Sequence, residues 1–414
     1  MSIIKDPRLA KHGIQKIEWA RTFMPALNEI RRVFSALRPF EGRRITLSVH
    51  MEAKTANLAL ALREAGADVR ATGCNPSSTQ DDVAAGLCEL GVPVYAVCGA
   101  TEKEYTDHLT HALSFSPELI IDDGGDLISI LSDSRPDLAR CLIGGCEETT
   151  TGIHRLMARS RAGGLICPMM NVNGAKSKRY YDNKYGTGQS VWTAIMQTTN
   201  LTVQGKTVVT AGYGYCGKGI TMRARGLGAD VIVTEVDPFK ALEAYNDGFR
   251  VMTMEEAAPL GDYFITATGC RDVITAEHFM KMKDNAFLAN AGHFNVEVSV
   301  GDLERLCIKH RPLRDGIEGY TMRDGRTLNL LAEGRLVNLA AGNGHPAEIM
   351  DMSFSVQMLA LRYLLEHRDE LPPGVYDVPE DIDSEVAMMR LRAAGLSIDK
   401  LTEKQLSYLE CWTI

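Results

Sequence analysis

Short runs of β-branched and other apolar residues recur between residues 41 and 172: RRITLSVH, ADVRATG, VPVYAVCG, ELIIDDGG and GGLICPMMNV. Each ends on small or polar residues and precedes a stretch long enough for a helix, such as TANLALALREAG after the first. Strands that each need a helical crossover run in the same direction, so the pattern dictates a parallel sheet covered by helices. Such a sheet offers ligands the C-terminal ends of its strands. A polar, glycine-containing segment from Asn173 to Gln189 interrupts the pattern, which resumes from Gln204 as GKTVVTAG, GADVIVTEVD, DYFITATG and NAFLANAG. The fold class that follows is α/β: two doubly wound parallel-sheet domains joined by a hinge, plus a C-terminal tail.

After Asn338 the chain passes through AAGNGHPAE into DMSFSVQMLALRYLLEHR, where Phe354, Met358, Leu361 and Leu365 repeat at helical spacing. This helix is expected to pack back on the first domain, which sets the boundaries at 1–186 with 346–378, 187–345, and a tail over 379–414. The Pro-rich LPPGVYDVPEDID punctuates the chain before a short helical end. With 414 residues, 45% hydrophobic and 24% charged, the chain has the composition of a folded two- or three-domain protein. A net charge of −8 leaves no surplus of Lys and Arg for a phosphate backbone, so nucleic acid is not the expected partner. No apolar run approaches the roughly 18 residues of a membrane span, and the N-terminus lacks a secretory h-region, so no membrane partner and a cytoplasmic location are expected. The ten cysteines form neither a CxxC nor a zinc spacing with His, so they read as reduced, mostly buried thiols.

The strongest local signal is Gly212-Tyr213-Gly214-Tyr215-Cys216-Gly217, between the strand KTVVTA and the helix KGITMRARGLG. Gly212, Gly214 and Gly217 there permit a tight turn and bring a pyrophosphate close to a helix N-terminus, where free N–H groups and the helix dipole favour anions. Glu235 follows 23 positions after Gly212, at the end of VIVTEVD, where a carboxylate binds an adenosine ribose and repels a 2′-phosphate; NAD is therefore the expected cofactor. In the first domain His50 follows ITLSV, Asp122, Asp123 and Asp126 follow LII, and Glu147 and Glu148 precede Thr149, Thr150 and Thr151, so these side chains converge on one crevice. Three Asp within five residues could hold Mg²⁺, but no phosphate-binding loop stands beside them, and helix capping by Asp126 and the Glu-Thr run is the plainer reading; no metal is expected. Lys178, Asp182 and Asn183 add a polar cluster on the hinge, and His293 and His345 stand in glycine-flanked turns at the ligand-facing edge.

These residues together resemble the S-adenosylhomocysteine hydrolase family. The resemblance rests on IEWARTFMP near the start, the His50 segment, DDGGD, EETTTGIHRL, NVN, KSKRYYDNKYG, AGYGYCGKG, NAGHF and GRLVNLAAGNGHP, in order along most of the chain. It implies a homotetramer whose subunits each have a substrate domain, an NAD domain and a tail reaching a neighbour. It implies a nucleoside thioether substrate and a reversible hydrolysis: oxidation at the ribose 3′ carbon acidifies the 4′ C–H, homocysteine leaves the 5′ carbon, water adds, and the ketone is reduced again. Carried over to this chain, Lys178 and Asp182 sit at the 3′-hydroxyl, with Lys178 in neutral form taking its proton. Glu148 binds the ribose hydroxyls, His50 and Asp123 serve the 5′ carbon and sulfur, and Asn183 lies beside substrate and nicotinamide. His293 lies near the substrate at the closed hinge, and His345 touches the purine or gates the channel. Thr55 also falls to the substrate; Thr149, Thr150, Thr151, Thr268, Asn290, Gly292 and Asn338 fall to the cofactor.

Some positions depart from the better-known members. Those carry Thr, then Gln or Glu, where this chain has Glu52 and Lys54; the tail SYLECWTI lacks their Lys and Tyr; and Tyr215 and Cys216 replace the usual glycine-loop residues. The HxExK pattern resembles the shorter form common in archaea and thermophilic bacteria, whose members include S-inosylhomocysteine hydrolases. Hypoxanthine presents an O6 acceptor and an N1–H donor where adenine presents an amino donor and an N1 acceptor, so Lys54 as donor and Glu52 as acceptor suit the inosyl compound. The alternative substrate is the adenosyl compound. An ordinary NAD dehydrogenase and a non-enzymatic relative are weaker alternatives: the first leaves DDGGD and EETTTG without a task, the second would have lost catalytic side chains.

Overall fold

The computed structural model describes residues 2–412. Its first sheet has seven strands: β1 (Arg44–Ser48), β2 (Asp68–Thr72), β3 (Val94–Tyr95), β4 (Leu119–Asp122), β5 (Gly144–Glu147), β6 (Pro168–Asn171) and β15 (Gly374–Asp377). They lie in the order β15-β6-β5-β4-β1-β2-β3, every pair parallel. The second sheet contains β7 (Thr207–Ala211), β8 (Asp230–Thr234), β9 (Arg250–Val251), β10 (Tyr263–Thr266), β11 (Phe287–Asn290), β12 (Cys307–Arg314), β13 (Ile317–Met322) and β14 (Thr327–Leu331). Its order is β12-β13-β14-β11-β10-β7-β8-β9.

The central parallel strands of both sheets are buried on two faces, which is why strands such as β1 and β7 read as unbroken apolar runs. In β7, Val208 joins the core under one face and Val209 the core under the other, as the two-residue period of a strand requires. The first core unites Ile45 and Leu47 of β1 with Leu58 and Leu62 of helix Ala53–Glu64 and with Phe354, Met358 and Leu361 of helix Ala347–Glu366. That last helix is buried without interruption from Asp351 to Leu361, so a single polar face was never available to it. Each fully buried large apolar side chain contributes about 1.5–3 kcal/mol.

Three elements differ from the sequence reading. The strand β5 was masked by its glycines, poor strand formers. The packing needs them: a Cβ on Gly145 would stand 2.4 Å from Ile120 Cγ1, and one on Gly144 would stand 2.4 Å from the Pro168 carbonyl oxygen. The second sheet is extended by the antiparallel run β12-β13-β14, so it is not parallel throughout. The region after 379 is not all tail. Helix Glu380–Ala393 packs on helices Pro25–Leu37 and Ala347–Glu366, and Asp383 within it accepts from the amides of Lys176 and Ser177. Helix Glu403–Glu410 buries none of its residues.

Candidate active site

In each sheet the strand order reverses beside the first strand of the domain: β1 lies between β2 and β4, and β7 between β8 and β10. Loops leaving those strands diverge there and open a crevice. The two crevices face each other across a cleft of about 1150 Å³. The loop after β11 bridges it, bringing His293 Nδ1 to 4.0 Å from Asp123 Oδ1. Every residue assigned to substrate, cofactor or catalysis from the sequence lines this cleft except Gly217 and Asn290. Those two act from behind. A Cβ on Gly217 would stand 1.9 Å from the Gly212 carbonyl oxygen, so the glycine lets helix Tyr215–Gly226 close on its loop. Asn290 donates to the carbonyls of Gly292, Phe294 and Gly334 and accepts from the Gly292 amide, fixing the loop that carries His293.

At the hinge, Lys178 is buried with its Nζ 2.9 Å from Asp182 Oδ2, 2.9 Å from Asn183 Oδ1 and 3.4 Å from Glu148 Oε1. Asp182 is held further by Ser353 Oγ at 2.6 Å and His345 Nδ1 at 2.7 Å, and Glu148 by Gln357 Nε2. Burial alone would lower the Lys178 pKa, but the Asp182 and Glu148 carboxylates outweigh it and hold the pKa above the ordinary lysine value. Lys178 is therefore held as an ammonium, and it can accept a proton only after giving one up. Burial raises Glu148 to about 7 against the opposing pull of Lys178. For Asp182 burial works upward too, but Lys178 and His345 prevail and keep it an anion.

The second cluster surrounds His50, just beyond β1. Ser78 Oγ lies 2.6 Å from His50 Nδ1 and 3.0 Å from the Asn75 carbonyl oxygen. A carbonyl only accepts and a hydroxyl has one proton, so Ser78 donates to Asn75 and accepts from His50 Nδ1–H. The lone pair of His50 is thereby placed on Nε2, 3.6 Å from Asp123 Oδ2. Burial lowers the His50 pKa to about 4 despite the Asp123 charge, so the imidazole is neutral. Cys74 donates its thiol proton to Asp123 Oδ2 at 3.2 Å.

Glu52 and Lys54 meet inside the cleft, not in solvent. Glu52 caps helix Ala53–Glu64, accepting from the amides of Lys54 at 3.1 Å and Thr55 at 3.3 Å. Lys54 Nζ lies 2.6 Å from Glu52 Oε2 and donates to the Asn343 carbonyl oxygen at 2.9 Å, two residues before His345. Thr55 Oγ donates to the His50 carbonyl, which ties this turn to the His50 cluster.

On the second sheet, Gly212 has φ +95°, a conformation only glycine adopts without strain. No atom lies within 4 Å of where a Gly214 Cβ would stand. Glu235 accepts from the amides of Tyr213 and Val236 at 2.7 Å and of Asp237 at 3.1 Å, bracing the glycine loop from the next strand. Thr268 donates from its amide and hydroxyl to Glu297, and Asn338 donates to Ser190. Thr149 caps helix Thr150–Arg161, Thr150 Oγ accepts from Asn173, and Thr151 opens onto the cleft beside them.

Comparison with known proteins decides what this cleft belongs to. Residues 2–139 match the family model described as S-adenosyl-L-homocysteine hydrolase, and residues 183–344 match its NAD binding domain. Over 99% of this chain, it is 51% identical to the S-inosyl-L-homocysteine hydrolase of Methanocaldococcus jannaschii, covering 98% of that protein. It is also 53% identical to the adenosylhomocysteinase of Thermococcus kodakarensis and to the S-inosyl-L-homocysteine hydrolase of Methanopyrus kandleri, again over 99% of this chain and 97% of each. The chain belongs to the S-adenosyl-L-homocysteine hydrolase family.

NAD, the cofactor of the family's second domain, fits the residues present. The open face of Gly214, the positive φ of Gly212 and the helix N-terminus behind them form a cradle for a pyrophosphate, with Glu235 at the ribose end of the neighbouring strand. The residues that the sequence left unread hold the cleft's polar groups from behind: Ser78 meets His50, Cys74 meets Asp123, Ser353 meets Asp182, Gln357 meets Glu148, Glu297 meets Thr268, and Asp383 meets the amides before Lys178. Ser353 and Gln357 stand four apart on helix Ala347–Glu366 and so share one face, the face that meets Asp182 and Glu148.

Proposed function

We propose that this family member hydrolyses the thioether of S-inosyl-L-homocysteine reversibly to inosine and L-homocysteine, with the S-adenosyl compound as the alternative substrate. Relatives bearing either name are equally similar to the chain, so the reading rests on the buried Glu52–Lys54 pair inside the cleft. Glu52 would accept from the purine N1–H, and Lys54 would turn an ammonium proton to O6. An adenine there would face a donor with its amino group and an acceptor with its N1. Such a mismatch costs roughly 2–6 kcal/mol, a selectivity of about 30-fold to 10⁴-fold.

Bound NAD supplies the oxidation at the ribose 3′ carbon and its reversal. The chain's own groups hold and move protons. Lys178 enters as an ammonium and donates to the 3′ oxygen. It can take the 3′ proton only after passing one of its own to a neighbour, and Glu148, titrating at about 7, is the ready acceptor while it also binds the ribose hydroxyls. Asp182 and Asn183 aim the ammonium. At the other end His50 Nε2 relays protons: once it has taken up the proton released from the 4′ carbon it gives it to the leaving sulfur, and neutral again it takes one from the water that adds at the 5′ carbon, with Asp123 steadying the charge. His293 closes the cleft over this step, and His345 holds Asp182.

The substrate domain is assigned to 1–186 with 346–378, the NAD domain to 187–345, and oligomerisation to the tail. A homotetramer is supported by Leu401, Leu406, Leu409 and Trp412, which stand exposed on or beside helix Glu403–Glu410, Trp412 at 94%. No helix among the described residues is long and apolar enough to cross a membrane, in keeping with a cytoplasmic location. The deciding experiment is turnover of the inosyl and adenosyl compounds side by side with a thiol readout. Preference for the inosyl compound by at least about 30-fold is expected. Equal kcat/KM would overturn the purine assignment, and no thiol from either would overturn the hydrolase reading.

A further inference from the structure

The Lys and Arg side chains that line the cleft are Lys54, Lys178, Arg179, Lys218 and Lys240. All but one are neutralised by a carboxylate. Lys54 meets Glu52 at 2.6 Å, Lys178 meets Asp182 at 2.9 Å, Lys218 meets Glu243 at 2.6 Å and Lys240 meets Asp237 at 3.5 Å. Arg179 is the exception: among the described residues no carboxylate or carbonyl oxygen accepts from its guanidinium, and its Nε is buried without a hydrogen-bond partner. A buried N–H on an uncompensated cation is costly until an anion meets it.

Aromatic rings hold this guanidinium in place. Arg179 Cζ stands 5.2 Å from the centre of the Tyr180 ring and 6.0 Å from that of Tyr215, and the two rings are 5.5 Å apart. Rings attract the cation through the faces of its plane, which leaves its charge unneutralised and the N–H groups along its edge free to donate. The two rings belong to different parts of the molecule. Tyr180 lies on the hinge, whereas Tyr215 is the first residue of helix Tyr215–Gly226, the helix whose N-terminus closes the Gly212–Gly214 cradle. Tyr215 is also one of the positions at which the glycine loop departs from the better-known family members. The helix N-terminus supplies about half a positive charge, too little for the double negative charge of a pyrophosphate. The nearby Lys218 is already engaged by Glu243. The unpaired fork of Arg179, which matches two phosphate oxygens at once, supplies the missing charge.

We propose that Arg179 binds the pyrophosphate of NAD from the hinge, and that Tyr180 and Tyr215 are the positioning residues that aim it. Lys178 precedes Arg179 on the same short helix, Lys176–Arg179. Cofactor loading therefore fixes the turn that carries the proton-transfer lysine, so the oxidant and the ammonium are placed by adjacent residues. The inference rests on NAD as the cofactor and is independent of which purine the substrate carries.

The test is a titration of the NAD-free full-length protein with NAD and with ADP-ribose, which keeps the pyrophosphate and lacks the nicotinamide, together with thermal unfolding of the same protein without ligand. Arg179→Gln should weaken both ligands by the same factor, at least about tenfold, the loss of a charge-assisted pair. The unfolding temperature of the NAD-free variant should equal or exceed the parent's, because the substitution removes a cation that has no partner until the cofactor arrives. Tyr215→Leu keeps the cationic side chain but removes one of its rings, and should weaken both ligands about threefold or more. Unchanged affinity for both ligands in Arg179→Gln would overturn the proposal and assign the guanidinium to another anion, such as the substrate carboxylate. Weaker NAD with parental ADP-ribose affinity would overturn it by placing Arg179 at the nicotinamide. A lower unfolding temperature of the NAD-free variant would overturn it in favour of a role in the fold.

Discussion

Replacing Lys178 by Met removes the one cation that lies against both Asp182 and Glu148, at 2.9 and 3.4 Å. Breaking a buried pair in this way costs about 3–5 kcal/mol when the stranded charge cannot neutralise itself. Asp182 keeps the Ser353 hydroxyl and His345, so it remains an anion. Glu148 behaves differently. Burial already raises it to about 7 with Lys178 pulling it down, so without the ammonium it rises further and holds its proton. A carboxyl whose folded pKa exceeds its unfolded one binds more protons in the native state, and stability falls as pH rises from the unfolded pKa to the folded one. In the parent this fall ends near pH 7. In the variant it continues upward at about 1.36 kcal/mol per pH unit. The stability gap between the two should therefore widen by about 2 kcal/mol between pH 7 and pH 8.5, by this slope. Urea unfolding at both pH values measures it, with Lys178→Arg as the variant that keeps the cation and shows no widening. A gap of equal size at both pH values would refute the assignment of Glu148 as the proton acceptor beside Lys178.

Ser78→Ala should release the His50 tautomer and slow thiol formation about tenfold, the equivalent of one hydrogen bond, while exchange of the substrate 4′ hydrogen with deuterated solvent continues; unchanged thiol formation would contradict the role given to Ser78. Glu52→Thr combined with Lys54→Gln keeps a capping residue on helix Ala53–Glu64 and should shift kcat/KM toward the adenosyl compound by at least about tenfold, and an unmoved ratio counts against the purine assignment. Glu235→Gln turns an amide NH₂ toward either the Tyr213 amide or the Val236 and Asp237 amides, because both carboxylate oxygens now accept. NAD retention on gel filtration should weaken by roughly 10- to 100-fold, for the loss of about 1–3 kcal/mol, and parental retention would show that the carboxylate does not brace the loop.

What the sequence made legible follows from where each residue's role is local. Strands such as KTVVTAG and RRITLSVH announce themselves because a parallel sheet buried on both faces needs continuous β-branched runs. The glycine loop is legible because turn, close packing and anion cradle each demand glycine at fixed spacing. The strand Gly144–Glu147 was silent, since its glycines answer to Ile120, Pro168 and Leu364, which are distant in sequence. The hairpin β12-β13-β14 was silent for a related reason: β12 is exposed along nearly its whole length, and an exposed strand carries no apolar signature.

The same distinction separates the reacting groups from those that set their chemistry. Lys178, Asp182, Glu148, His50 and Asp123 stand in motifs dense with polar residues, and polar density at strand ends is readable. Their charge states are not, because each is decided by partners elsewhere in the chain. Lys178 is an ammonium because Glu148, thirty positions earlier, and Asp182 outweigh its burial. Asp182 stays ionised with help from His345 and Ser353, both beyond residue 340. His50 exposes Nε2 because Ser78 has only one proton to give, and the Asn75 carbonyl takes it. The side chains that the sequence marks as reactive thus acquire their protonation from partners elsewhere in the chain, of which Ser78 and Ser353 carry no mark in the sequence. For this reason the variants that test the mechanism most sharply are Ser78→Ala and Lys178→Met: the first changes a tautomer and the second a charge.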